Sequence, residues 1–296
     1  MPSRSASPSP NERAVPPLRD SKKIFIAGAS GSGKSYTARE QYLRHFPRRI
    51  YVDFIGEYDQ DVEVTVYSVQ ELDTYVRDHW NRGRWSVAIV PDDDLDGLVE
   101  WAVPLPQLEE RSVTRAAGGV AMLFDEVDTY AGPGASRRLP IRTLWRRARH
   151  AALTIVATTQ RPANVSKEVT SQSNHVLCLQ LTEWDDIDYM ERAIGCRLRG
   201  DPFDAWLAAH PNPNGSGGSI GGLWHNRRTR ETRWYDGTRF LAPTRVPGRP
   251  ARPVPGQEEP EAPGAERPGP SVPASGGRPE PPSDDGPSRD PGDDSA

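Results

Sequence analysis

Gly28-Ala29-Ser30-Gly31-Ser32-Gly33-Lys34-Ser35 follows an apolar run, Lys23-Ile24-Phe25-Ile26-Ala27, and precedes a helix-like segment, Tyr36-Thr37-Ala38-Arg39-Glu40-Gln41-Tyr42-Leu43. The pattern is G-x-x-x-x-G-K-S in the order strand, glycine loop, helix. That order has a physical reason. Glycines let backbone N–H groups wrap phosphates, the helix N-terminus adds its positive end, and the lysine reaches the β- and γ-phosphates. A serine after that lysine sets its hydroxyl on Mg²⁺. Gly28, Ala29, Ser30, Gly31, Ser32, Gly33, Lys34, Ser35 and Tyr36 are therefore the candidate nucleotide-binding residues, with Ser35 a candidate Mg²⁺ ligand.

Working outward, a second stretch complements the first. Val120-Ala121-Met122-Leu123-Phe124 is a near-continuous apolar run, as a strand buried on both faces of a parallel sheet requires. It ends in Asp125-Glu126, at the strand tip where such sheets present their ligands. With a glycine loop about 90 residues upstream, Asp125 is expected to order the Mg²⁺ and Glu126 to polarise the attacking water. Asp128 reads as a helix cap. Leu153-Thr154-Ile155-Val156-Ala157-Thr158-Thr159-Gln160 is another buried-type strand, and Gln160 at its tip could sense the γ-phosphate or the attacking water.

The remaining elements follow the same alternation. Strands are expected at 49–53, 62–67, 85–90 and 175–181. A helix capped by Ser68, with capping-box spacing to Glu71, carries Leu72, Tyr75, Val76, His79 and Trp80 on one face, read as core packing. Asp92-Asp93-Asp94 reads as a turn and helix start, with a metal site the lesser reading. Leu95, Leu98, Val99 and Ala102 suggest a helix interrupted by Pro104 and Pro106. Residues 131–140 form a Gly- and Arg-rich loop, and a helix over about 141–151 carries Arg142, Arg146, Arg147 and Arg149. Thr182-Glu183-Trp184-Asp185 starts an amphipathic helix that stops near Gly195. Asn212–Gly222 reads as a flexible glycine segment, and Trp224 and Arg233-Trp234-Tyr235 as a final hairpin.

Composition sets the outer limits. Residues 1–20 carry no apolar periodicity, and residues 241–296 hold 15 of the chain's 30 prolines. Chains of that kind have too little to bury to offset their ordering entropy, so both ends are expected to be disordered. Residues 21–240 then form one domain. The tail's ten acidic and six Arg residues give −4, the whole of the chain's net −4, and leave the rest balanced. No basic excess announces nucleic acid, and a locally basic face remains compatible with it. The two cysteines, Cys178 and Cys196, make neither a metal spacing nor a disulfide framework. No run suits a membrane span or a signal peptide, so a cytoplasmic protein is expected.

Strands alternating with helices argue an α/β fold, a mostly parallel sheet with helices on both faces. The long gap between the glycine loop and Asp125-Glu126, with a further strand ending in Gln160, fits the RecA-like (ASCE) branch of P-loop NTPases. Small-molecule kinases generally lack that arrangement.

The residues also resemble a family. Asp53-Phe54-Ile55-Gly56-Glu57-Tyr58 resembles the Asp-x-x-Gly-Glu-Tyr element of HerA-type ATPases, and Phe124-Asp125-Glu126 their Walker B. The segment from Arg149 to Pro162, ending Thr159-Gln160-Arg161-Pro162, is similar to the Arg-x-x-Gly…Ala-Thr-Gln-Arg-Pro segment of the FtsK–HerA superfamily, with Ala152 where the family usually has Gly. Ser171-Gln172-Ser173-Asn174 and Asp185/Asp186 resemble the end of that core. The resemblance implies an ATP- and Mg²⁺-dependent motor, usually a homo-hexameric ring, that moves DNA. It implies an arginine acting on the neighbouring subunit's ATP; Arg149 matches that position, with Arg146 and Arg147 as competitors. Arg137-Arg138 are candidates for gripping DNA phosphates, a contact that reads no sequence. A motor domain without membrane spans or an added barrel is most similar to viral genome-packaging ATPases, in the host cytoplasm or with the virion. HerA-like helicases, conjugative ATPases and phage-assembly ATPases are the near alternatives, and a nucleotide-dependent switch or scaffold the alternative of another class. The acidic tail could recruit a capsid or another partner, or simply aid solubility.

Overall fold

The computed structural model describes residues 23–91, 95–105, 119–129, 131–132, 143–146, 148, 153–214 and 218–242. The expectations for both chain ends, Asp92-Asp93-Asp94, Arg137-Arg138, Arg142, Arg147 and Arg149 lie outside them.

The apolar runs become the inner strands of one nine-stranded sheet. In chain order the strands are β1 (Lys23–Ala27), β2 (Arg48–Val52), β3 (Val64–Val66), β4 (Trp85–Ile89), β5 (Val120–Phe124), β6 (Leu153–Thr159), β7 (His175–Leu179), β8 (Gly222–Asn226) and β9 (Glu231–Tyr235). Their order across the sheet is β3-β4-β2-β5-β6-β1-β7-β8-β9. The first seven run parallel, and β8 and β9 add an antiparallel hairpin to β7. Five-residue strands such as β1, β4 and β5 are buried at every position. Such runs show no polar alternation because both faces of a parallel sheet are covered.

Alternate residues sort into two cores. Phe25, Ala27, Ile50, Val52, Met122 and Phe124 face one, and Ile24, Ile26, Tyr51, Ala121 and Leu123 the other. Helices α2 (Val69–His79), α3 (Leu95–Ala102), α4 (Lys167–Gln172) and α5 (Trp184–Ile194) supply the first core with Leu72, Val76, Leu98, Val99, Val169 and Met190. The segment after the glycine loop supplies the second with Ala38, Tyr42 and Leu43, joined by Tyr235 of β9.

Capping follows the sequence. Ser68 Oγ accepts from Glu71 N at 3.2 Å, while Glu71 Oε2 accepts from Tyr67 N at 2.9 Å. That is the reciprocal exchange expected of a capping box, displaced by one residue. Gly195 ends α5 in the left-handed region, φ 73°, which a side chain would strain. Of the helical face of α2, Leu72 and Val76 are buried, Tyr75 and Trp80 pack against them, and His79 stacks on Tyr75 at 4.1 Å.

Three expectations change. The helix after the glycine loop is regular only over α1 (Lys34–Thr37), then widens into a π turn over Ala38–Tyr42 and tightens into a 3₁₀ turn over Leu43–His45. Asp128 caps no helix: it lies inside a 3₁₀ turn, Val127–Thr129, and accepts a hydrogen bond from Thr159 Oγ1 at 2.6 Å. The glycine segment read as flexible is fastened at both its described ends, while residues 215–217 lie outside the described residues. Asn212 N donates to Gly218 O at 2.7 Å and Ile220 N to His210 O at 3.0 Å, which pairs residues 210–212 with 218–220. A short helix, α6 (Phe203–Ala209), leads into the first of these.

Candidate functional site

Strand order builds the site. β6 lies between β1, which feeds the glycine loop, and β5, which ends at Asp125-Glu126. The tip of β6 therefore falls between Lys34 and Glu126, although Gln160 is 34 residues from Glu126 in sequence.

The glycine loop needs its glycines for stated reasons. Gly31 and Gly33 have φ of 73° and 85°, a region that disfavours side chains. At Gly28 a Cβ would fall 2.4 Å from Ser32 Oγ and 2.9 Å from Leu179 Cβ. The neighbouring strands anchor the loop: Gly28 N donates to Thr159 O at 3.1 Å and Ala29 N to Gln180 O at 2.7 Å. Residues of the paired segments 210–212 and 218–220 press on it from outside. Asn212 Nδ2 donates to Gly31 O at 2.5 Å, Ser219 N donates to Gln180 Oε1 at 2.5 Å, and Ile220 lies where a Cβ on Gly33 would meet it.

Below the loop, the Lys34 ammonium donates to Ala29 O at 3.2 Å and lies 3.8 Å from Glu126 Oε1. Lys34 is 7% exposed and Asp125 5%. Burial lowers the Lys34 pKa despite the nearby Glu126, Asp125, Asp128 and Glu57 carboxylates. Burial likewise raises that of Glu126, against the Gln160 hydrogen bond and Lys34. Desolvation thus outweighs mutual attraction on both sides of this pair, which at 3.8 Å makes no direct hydrogen bond.

Gln160 clasps Glu126 twice. Its Nε2 donates to Glu126 Oε1 at 2.7 Å and its backbone N to Oε2 at 3.3 Å. The Thr158 hydroxyl donates to Asp125 Oδ1 and accepts from Glu126 N, so one hydroxyl positions both acids. Asp125 Oδ2 accepts from the buried Tyr58 hydroxyl at 3.0 Å, and the Ser35 hydroxyl adjoins Tyr58. Glu126 itself has φ of 45°, in the left-handed region.

These groups line a cleft of about 330 Å³ that also takes in Tyr36, Ile55, Glu57 and Asn212. Tyr36 and Ile55 are 47% and 65% exposed. The structure therefore brings together Lys34, Ser35, Asp125, Glu126 and Gln160. Tyr58, Thr158 and Asn212 are members that residue-by-residue reading missed, although Tyr58 stood within the quoted Asp-x-x-Gly-Glu-Tyr element. Of the arginines, Arg146 pairs with Glu168 on α4 at 3.0 Å. Arg161 Nε donates to buried Asp186 Oδ2 at 2.8 Å, and Asp186 also accepts from Ala163 N, which fixes the turn after Gln160.

A glycine loop after the first parallel strand, an acidic pair on β5 and a polar tip on the strand between define the P-loop NTPase fold. No family model matches the chain, and no curated protein matches it. Solved structures do. The genome packaging NTPase B204 from Sulfolobus turreted icosahedral virus 2, in complex with AMPPCP, is 15% identical with a TM-score of 0.51, over 73% of this chain and 97% of that one. The same NTPase with AMP gives 15% and 0.52, over 76% and 98%. The cytoplasmic domain of the Thermomonospora curvata Type VII secretion ATPase EccC is 13% identical with a TM-score of 0.38, over 76% of this chain and 24% of that one. What the B204 structures share with this chain is its fold, the α/β architecture expected of the FtsK–HerA resemblance.

Proposed function

We propose that the chain is an ATP-hydrolysing motor that moves DNA, and that its task is genome packaging. The observation that carries the reading is the convergence of Lys34 and Gln160 on Glu126 Oε1 in a glycine-loop cleft. A protein that only bound nucleotide would need the loop and the lysine, but not a half-buried carboxylate positioned beside them. The fold shared with a nucleotide-bound packaging NTPase supports the particular task.

In this reading the amides of residues 28–36 and the Lys34 ammonium hold the phosphates of ATP. Ser35 and Asp125 fit Mg²⁺, which favours oxygen donors and shares its shell with water and substrate phosphates. Two of the four lone-pair positions on the Asp125 carboxylate are taken by Tyr58 and Thr158, leaving two toward the cleft. The bound ion supplies charge neutralisation on the phosphates. Glu126, its pKa raised by burial, accepts the proton of the attacking water, and Gln160 orients the two. Arg149 is proposed to act on the ATP of a neighbouring subunit in a homo-hexameric ring. DNA is held through its backbone, with Arg137-Arg138 as contacts, and the acidic tail aids solubility or recruits a capsid or other partner. No helix among the described residues is long and apolar enough to cross a membrane, and action in the host cytoplasm or at the virion accords with that.

The test is ATP hydrolysis with and without double-stranded DNA, for the natural protein and for Glu126→Gln. Stimulation by DNA is expected, with turnover reduced at least about 100-fold by the substitution while ATP still binds. Turnover indifferent to DNA would sink the motor reading, and turnover equal in Glu126→Gln would sink the assigned base.

A further inference from the structure

We infer that Tyr58 is a positioning residue for the cation: its buried hydroxyl orients Asp125 beside Ser35. The inference rests on the nucleotide-hydrolysis reading and extends it to a residue outside the loop and the acidic pair.

Asp53, the residue after β2, is fully buried. Its Oδ1 accepts from Ile55 N at 3.2 Å and Gly56 N at 2.9 Å, and its Oδ2 from Tyr58 N at 2.9 Å. Three amides on one carboxylate wind residues 53–58 into a closed turn. Gly56 makes the winding possible with φ of 78°; a Cβ there would meet nothing within 4 Å, so the requirement is one of backbone and not of space. The turn aims the Tyr58 ring inward against Tyr51, centroids 5.0 Å apart, and delivers the hydroxyl to Asp125 Oδ2. The Tyr58 hydroxyl is the donor and the Asp125 oxygen the acceptor. Thr158 fixes the other oxygen. With both oxygens tied, the carboxylate cannot rotate about its χ2, and its free lone pairs stay directed to the cleft. The same turn carries Ile55 and Glu57 to the cleft wall. A buried tyrosine hydroxyl needs some partner. Here the partner is the carboxylate expected at the ion, which gives the contact a consequence that packing alone would lack.

The test uses the purified full chain and a fluorescent ATP analogue, titrated in EDTA and then with Mg²⁺. Tyr58→Phe keeps the ring against Tyr51 and removes one hydrogen bond to a charged acceptor. It is expected to leave metal-free nucleotide affinity within about twofold of the natural protein and to raise the Mg²⁺ concentration for half-effect about 5- to 10-fold. Gly56→Ala, which strains the turn but keeps the hydroxyl, should shift the same midpoint in the same direction by less, and it carries the test should Tyr58→Phe not fold. An unchanged Mg²⁺ midpoint, or equal loss of affinity with and without Mg²⁺, overturns the inference. Failure of the natural protein to bind the analogue, or to respond to Mg²⁺ at all, overturns the nucleotide reading beneath it.

Discussion

Glu126 is held by Gln160 through both carboxylate oxygens, and that hold has a measurable sign. A donor to a carboxylate favours its charged form, so the Gln160 contact lowers a pKa that burial has raised. Replacing Gln160 by Ala removes the side-chain contact and keeps the backbone one. The Glu126 pKa then rises further, and the acidic limb of the kcat–pH profile is expected to move to higher pH. A limb unmoved in Gln160→Ala would mean that Glu126 is not the group being titrated. At this scale the sequence was legible wherever a residue type and a strand end coincide: Lys34, Ser35, Asp125, Glu126 and Gln160 all meet in one cleft. Tyr58 and Thr158 were not legible as partners of Asp125, because a hydroxyl across 67 or 33 residues leaves no spacing to read. Asp128, read as a cap from its place after the acidic pair, serves Thr159 instead, a contact that only the pairing of β5 with β6 creates.

Among the elements, β7 and β8 carry a pH dependence of their own. His175 on β7 is buried, its ring tilted against that of Trp224 at 5.1 Å, and the neighbouring strand β8 also carries His225. Burial first, and His225 second, depress its pKa to about 4. Burial and the Arg227 charge depress that of His225 too. In the unfolded chain both histidines take up protons near pH 6.5. The folded state therefore binds fewer protons between pH 6.5 and about 4, and stability present above that window is lost as pH falls through it. The His175 share approaches ~3 kcal/mol at the lower end. Urea unfolding at pH 7 and pH 5 is expected to show a smaller loss for His175→Phe than for the natural protein; an equal loss would place the effect elsewhere. The strands themselves were legible because they are long apolar runs. The short helices α4 and α6 were not, since six or seven residues present too little periodicity. Nor was the π turn, which depends on how Ala38, Tyr42 and Leu43 pack on the sheet rather than on propensity.

At the scale of the whole molecule, the alternation of strands and helices in the sequence announced the parallel sheet, while the order of its strands came from packing. That order sets Gln160 between the glycine loop and the acidic pair, and it leaves β7 as the strand on which the antiparallel hairpin of β8 and β9 is built. The pair of segments 210–212 and 218–220, by contrast, looked like part of a glycine linker. Its contact with the phosphate loop, Asn212 to Gly31, spans 181 residues. The consequence is one of reciprocity. Whatever factor the fastened pair contributes to nucleotide affinity, bound nucleotide must return to its fastening. Asn212→Ala is expected to weaken nucleotide binding about 3- to 10-fold. Nucleotide should slow hydrogen exchange at the Ser219 and Ile220 amides in the natural protein more than in the variant. Exchange there that ignores nucleotide would break the link. Where it holds, filling the cleft also tightens the last strands of the sheet, so that the far end of the domain carries a report of whether the cleft is full.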